Sequence, residues 1–223
     1  MKSLHVLLIE DDEDDYLVVK ELLAASSGYI YEIEWISDYY EARAAIAEKR
    51  HEVCLLDYHL GAGTGLELLT HSMDCGCVAP VIFLTGQGDR QLDERAIRAG
   101  AADYLDKEQL NQYVLELAIR HAIERKAIEL QLEDNRSRTA SLLGLYQMKD
   151  VSRPMISEFV MQRCKDLTGS DLGFVGFVDE DRGVMTCHSW SWEAMKQCSL
   201  PEKVVEFSIK KGGLWAEAIR RKK

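Results

Sequence analysis

The sequence predicts an α/β fold: a five-stranded parallel sheet flanked by helices in the first part, then a long helix and a partial α+β segment. Three observations predict it. Through residue 126, five short apolar runs alternate with amphipathic stretches, and short connections between such pairs demand right-handed crossovers and parallel strands. The run Val53–Leu56 is apolar throughout, as a strand covered on both faces is. After Arg153-Pro154 the pattern changes to a helix, two strands joined by a turn, a third strand and a last helix.

In order, Leu4–Ile9 reads as a buried strand and Glu13–Ser26 as a helix with Val18, Val19, Leu22 and Leu23 inward. Tyr31–Ile36 is the next strand, Tyr39–Lys49 an alanine-rich helix and Val53–Leu56 the third strand. Leu66–Met73 is helical, Pro80–Leu84 a strand, and Arg90–Ala99 a helix stopped by Gly100. Ala102–Leu105 is the fifth strand, followed by a helix from Gln109. No Gly or Pro interrupts this last helix until Gly144, and Leu115, Ile119, Ile123, Ala127 and Leu130 form one apolar stripe along it. So narrow a seam suits a two-stranded coiled coil and predicts a parallel homodimer through the helix. Pro154 fits the first turn of a helix over Met155–Leu167. Gly173–Val178 and Val184–Trp190 read as strands joined at Asp179–Gly183, Val204–Ile209 as an edge strand, and Leu214–Arg221 as a helix. The expected domains are 1–126, a helical linker over 127–152, and 153–223.

A net charge of −11 and a pI near 5.1 argue against a nucleic-acid or anionic-membrane surface. The basic tail Arg220–Lys223 reads as the solvated end of a helix. Among the six cysteines, only Cys75 and Cys77 are close, and C-x-C alone is a poor zinc site, so reduced thiols are expected. No run approaches the ~20 apolar residues of a membrane span. With no targeting segment visible, a cytoplasmic protein is expected.

In an open parallel sheet, ligands bind beyond the carboxyl ends of the strands, where strand order reverses. Glu10, Asp11 and Asp12 follow the first strand, Asp57 ends the third, Thr85 follows the fourth and Lys107 the fifth. Carboxylates gathered there repel one another, each pair at ~4 Å by roughly 4 kcal/mol at an effective dielectric of about 20. A cation relieves this, and an all-oxygen set with open positions suits Mg2+. Asp57 can then act as the nucleophile toward a phosphoryl donor. Thr85 and Lys107 can bind phosphoryl oxygens, and Gly86 leaves room beside the transferred group.

The strings "VLLIEDDEDD", "LLDYHLGAGTGLELL", "VIFLTGQGD" and "AGAADYLDK" resemble the receiver domains of two-component response regulators over about residues 3–126. The resemblance implies a flavodoxin-like fold with Asp57 as phosphoacceptor. Glu10 and Asp11 would be its metal-binding acidic pair, with Asp12 as an alternative member. His59 would lend a backbone carbonyl to the metal; Thr85 would be the switch hydroxyl and Tyr104 the switch aromatic. Lys107 would pair with the phosphoryl group. Where the family usually has proline after this lysine, Glu108 stands here, so the cis bond that would hold the loop is expected to be absent. The implied partner is a sensor histidine kinase or phosphotransfer protein, and the implied role is phosphorelay rather than enzymatic turnover. A haloacid-dehalogenase-type phosphatase would want a second Asp where His59 stands. A flavodoxin-like cofactor binder would want a hydroxyl-rich loop where the acids stand. His121 lacks the proline of a kinase phosphoacceptor motif and reads as an ordinary helix residue.

The segment "LTGSDLGFVGFVDEDRGVMTCHSWSWEAM" with "GLWAEAIR" resembles the opening of a GAF sensory domain over roughly 153–223. Later strands and helices that close a GAF pocket are missing, so a truncated domain is expected. Trp190, Trp192 and Trp215 read as core, and Cys187 and Cys198 as packing. The implied function is signal relay from Asp57 through the long helix to a GAF-containing output. The alternative is the front of a hybrid sensor histidine kinase.

Overall fold

The computed structural model describes residues 2–26, 28–86, 95–198 and 205–221, and the chain divides into two compact units, Met1–Leu130 and Gln131–Lys223. In the first, β1 (Lys2–Ile9), α1 (Glu13–Ala24), β2 (Tyr29–Ile36), α2 (Tyr39–Glu48) and β3 (Val53–Asp57) follow in turn. A two-residue pair, β4 (His59–Leu60) and β5 (Gly63–Thr64), leads into α3 (Gly65–Asp74) and β6 (Val81–Thr85). Residues 95–98 are helical (α4), and β7 (Asp103–Asp106) precedes a short 3-10 turn, Lys107–Gln109. Residues 90–94 of the expected fourth helix lie outside the described residues. The sheet order is β2-β1-β3-β6-β7, every pairing parallel. The chain thus reverses its direction of winding between β1 and β3.

Strand pleating explains why a continuous apolar run works here, because successive side chains feed opposite faces. Leu7, Ile9, Cys54, Leu56, Val81 and Phe83 join one buried cluster with Tyr39, Ala42 and Ile46 of α2 and Leu68 and Leu69 of α3. Val6, Leu8, Val53, Leu55, Ile82 and Leu84 join the other, with Val19 and Leu23 of α1. Val18, expected inward, is 50% exposed, because its side chain lies beyond the stripe that Val19 and Leu23 present to the sheet.

Helix α5 runs from Gln112 to Gln147. It starts at Gln112 rather than at Gln109, where a single 3-10 turn intervenes, and the Asn111 side chain accepts a hydrogen bond from Val114 N at 3.1 Å. The expected dimer stripe is corrected at its start: Leu115 and Ile119 are buried, and Ile123 is partly buried, in the chain's own sheet cluster with Ala118 and Ala122. The helix continues through Gly144 and ends at Gln147, short of the expected linker end at 152. A Cβ on Gly144 would lie 2.8 Å from the Phe159 ring, so this glycine serves close helix packing.

The second unit holds the end of α5, α6 (Arg153–Thr168), and β8 (Phe174–Asp179), β9 (Val184–Trp190), α7 (Trp192–Cys198), β10 (Val205–Ser208) and α8 (Leu214–Arg221). The strands form an antiparallel sheet ordered β10-β9-β8, with Gly183 at positive φ in the β8–β9 turn. Val204 of the expected edge strand lies outside the described residues. Trp190 and Trp215, with Phe174, Met185 and Phe207, line an apolar cavity of about 390 Å³, whereas Trp192, expected in the core, is 64% exposed.

Candidate functional site

The carboxyl ends of β1 and β3 bring Glu10, Asp11 and Asp57 together. One carboxylate oxygen of each lies within 4.8 Å of the others, the only such group of three metal-ligating side chains among the described residues. Glu10 is fixed through its main chain: its N–H donates to Ile36 O at 3.1 Å, and its carbonyl accepts from Trp35 Nε1 at 2.8 Å. Trp35 is itself stacked on Tyr16, with ring centroids 4.2 Å apart. Asp57 ends β3 almost buried, and its Oδ2 accepts from His59 N at 3.0 Å. Asp11 is exposed, with Oδ2 accepting from Gly61 N at 3.0 Å.

Lys107 enters from the loop after β7. Its Nζ lies 2.7 Å from Glu10 Oε2, 2.9 Å from Asp57 Oδ1 and 2.6 Å from Asp15 Oδ2. The contact with Glu10 Oε2 pairs that buried carboxylate oxygen with the ammonium. The Lys107 loop is held without a proline. No cis peptide occurs among the described residues; instead Asp106 caps the 3-10 turn, accepting from Glu108 N at 2.9 Å and Gln109 Nε2 at 3.0 Å.

Asp12 is not in the carboxylate cluster. It is the N-cap of α1, its Oδ1 accepting from Asp14 N at 2.8 Å and Asp15 N at 3.4 Å, so the alternative member named for the metal pair stands outside the group of three. Thr85 is buried at the end of β6, where its hydroxyl donates to Leu105 O at 3.5 Å. Tyr104 is exposed on β7, and the His59 side chain is exposed at the rim. A Cβ at Gly86 would meet no atom of the described residues within 4 Å.

Two residues escaped the sequence reading. Asp15 reaches Lys107 from the first turn of α1, and its only sequence signal was its place in the acidic run. Gly65 opens α3 behind Asp57, where a Cβ would lie 2.4 Å from Asp57 O and 2.7 Å from Phe83 Cε1. Its signal was the capping box Thr64–Glu67, which starts the helix one residue before the expected Leu66.

Burial raises the Glu10 carboxyl from its ordinary 4.5 to about 7; Lys107 opposes the shift and the charge of Asp57 adds to it. Burial also works against the Lys107 ammonium, but its contacts with Asp15, Glu10 and Asp57 outweigh this and hold its pKa above the ordinary range. A carboxyl that binds its proton more tightly folded than unfolded stabilises the fold most below its unfolded pKa. The Glu10 contribution to stability should therefore fall as pH rises from about 4.5 through about 7 in metal-free protein. Urea unfolding of wild type and Glu10→Gln across that window measures it: the difference between them should change with pH there and flatten above it.

The donor set fits a hard divalent cation: three carboxylates at one spot, two of them buried and the third, Asp11, exposed.

Comparison with known proteins agrees with this geometry. The profile of the response regulator receiver domain matches residues 6–120. A methyl sulfide methyltransferase-associated sensor of Methanosarcina acetivorans is 38% identical over 104 residues, 47% of this chain and 10% of the sensor. The response regulator protein PilR of Pseudomonas aeruginosa is 33% identical over 101 residues, 45% of this chain and 22% of PilR. The chain thus spans a minor part of either relative's length. A response regulator receiver domain protein from Clostridium thermocellum superposes with a TM-score of 0.51 at 26% identity, over 56% of this chain and 98% of that one. NtrX from Brucella abortus shares the fold, with a TM-score of 0.54 at 24% identity over 69% of this chain and 32% of that one. Through residues 6–120 the chain belongs to the response regulator receiver domain family.

Proposed function

We propose that Asp57 accepts a phosphoryl group from a histidine kinase or phosphotransfer protein and that the domain relays this change rather than catalysing turnover. One observation carries the reading: a nearly buried aspartate stands between a carboxylate cluster and an ammonium at the carboxyl end of the central strand. Glu10, Asp11 and Asp57 would hold Mg2+, with the His59 backbone carbonyl as the ligand the family resemblance adds. The ion would neutralise charge on the incoming phosphoryl oxygens. An Asp57 carboxylate oxygen attacks phosphorus, the bond to the donor breaks, and the electron pair leaves with the donor. Lys107 pairs with a phosphoryl oxygen, and the Thr85 hydroxyl turns from Leu105 O to another. Tyr104 and Gly86 are the neighbouring switch positions.

Intact mass after incubation with acetyl phosphate and Mg2+ tests the reading. Wild type should gain one phosphoryl adduct that EDTA prevents, and Asp57→Asn should gain none. Equal adducts in both proteins would falsify the assignment. Because proton and cation compete for Glu10, Mg2+ affinity should drop roughly tenfold between pH 8 and pH 6. Calorimetric titration at the two pH values checks this, and a flat profile would exclude Glu10 as a ligand.

The same reading includes a homodimer through α5 and a GAF-type sensory module in the second unit, supported there by the sequence resemblance and by a three-stranded sheet with flanking helices. With Leu115 and Ile119 buried, the dimer seam shifts to Ile128, Leu132, Asn135, Thr139, Leu142 and Tyr146, which recur at the 4-3 spacing of a coiled coil and are exposed. The alternative reading is the front of a hybrid sensor histidine kinase. No helix among the described residues is long and apolar enough to cross a membrane.

A further inference from the structure

Lys107 is shared among three carboxylates, yet only two of them, Glu10 and Asp57, belong to the cluster that suits a cation. Asp15 stands apart. It projects from the first turn of α1, partly exposed, and takes the hydrogen bond that Lys107 donates at 2.6 Å. An ammonium and a divalent cation drawn to the same carboxylates of Glu10 and Asp57 repel each other at such range. Resting on the proposed cation site, we infer that Asp15 is a positioning residue: it receives Lys107 when a divalent cation occupies the cluster, so that cation entry does not strand a partly buried ammonium.

Asp15 makes no claim on the cation in this arrangement; it acts through Lys107. Its neighbour Asp14 provides the control. Asp14 lies in the same helical turn, is exposed, and has no side-chain contact with Lys107, so Asp14→Asn removes the same formal charge without touching the tether.

The test is calorimetric titration of the full chain with Mg2+ alone. Without Asp15 the ammonium stays on Glu10 and Asp57 and competes with the ion. Asp15→Asn should therefore weaken Mg2+ binding about fivefold, whereas Asp14→Asn should change it by less than about twofold. In a Lys107→Met background the two substitutions should have equal, small effects, because no ammonium remains to place. Equal weakening by Asp15→Asn and Asp14→Asn in the native background would overturn the proposal and leave the cation site standing. So would a fivefold effect of Asp15→Asn that persists without Lys107, which would make Asp15 part of the ion's own surroundings. A wild-type chain that binds no Mg2+ would overturn both the cation reading and this one.

Discussion

Replacing Ile119 by lysine is expected to unfold the first unit rather than to separate a dimer. Ile119 is 1% exposed and packs in the cluster formed by Val6, Leu8, Leu55, Leu84 and Leu115. The substitution removes a buried aliphatic side chain and puts an unpaired ammonium in its place. The lost burial alone is worth about 2 kcal/mol, and the stranded charge adds several more. Against a total stability of roughly 5–15 kcal/mol for such a domain, that is enough to depopulate the native state. Leu142→Lys should behave in the opposite way, since Leu142 is exposed: the receiver should keep its unfolding midpoint while the chain turns monomeric. Chemical denaturation and light scattering on the two variants separate the cases. A folded, monomeric Ile119→Lys protein would restore the seam first read from the sequence.

Gly65→Ala should be nearly as damaging, and closer to the chemistry. The new methyl would sit 2.4 Å from the carbonyl oxygen of Asp57 and 2.7 Å from the buried Phe83 ring. Neither neighbour is the loose end of a flexible side chain, so the start of α3 must back away from β3. Overpacking of this kind costs roughly 3 kcal/mol. The displacement also falls on the residue proposed to take the phosphoryl group, and a misplacement near 1 Å can cost about a hundredfold in rate. The variant should gain its acetyl phosphate adduct about a hundred times more slowly than wild type. Gly86→Ala, with no atom of the described residues within 4 Å of its new methyl, should unfold within about 0.5 kcal/mol of wild type. If Gly65→Ala matches wild type in both midpoint and adduct rate, the contact is not as close as described.

The order of strands and helices in the first unit was legible because local pattern and tertiary need coincide there. A fully buried strand must be apolar along its whole length, and Val53–Leu56 is. The acids and Lys107 were legible as a site because they stand directly after strands whose ends converge. Other features were hidden for definable reasons. Periodicity along α5 marks which residues share a face, but not whether the chain's own sheet or another helix covers it, so Leu115 and Ile119 were assigned to the wrong neighbour. Asp12 and Asp15 stand in the same acidic run as Glu10 and Asp11. What separates cap, tether and cluster member is the onset of α1 at Glu13, which turns Asp12 onto helix amides and Asp15 toward Lys107. Glycine carries no side chain to read, so the tight fit of Gly65 behind Asp57 was hidden until its neighbours were known.

The hydrogen bond from Trp35 to the main chain of Glu10 gives the first unit an optical readout of its own. The chain's other tryptophans, Trp190, Trp192 and Trp215, all lie in the second unit, so the indole beside the acidic cluster is alone in Met1–Leu130. Indole emission shifts with the polarity around the ring and with the strength of its N–H bond. Changing those three tryptophans to phenylalanine would leave Trp35 as a single native fluorophore, wired through one carbonyl to Glu10. Ion entry, protonation and phosphoryl transfer could then be followed in real time by emission, with no dye attached and no residue of the cluster altered.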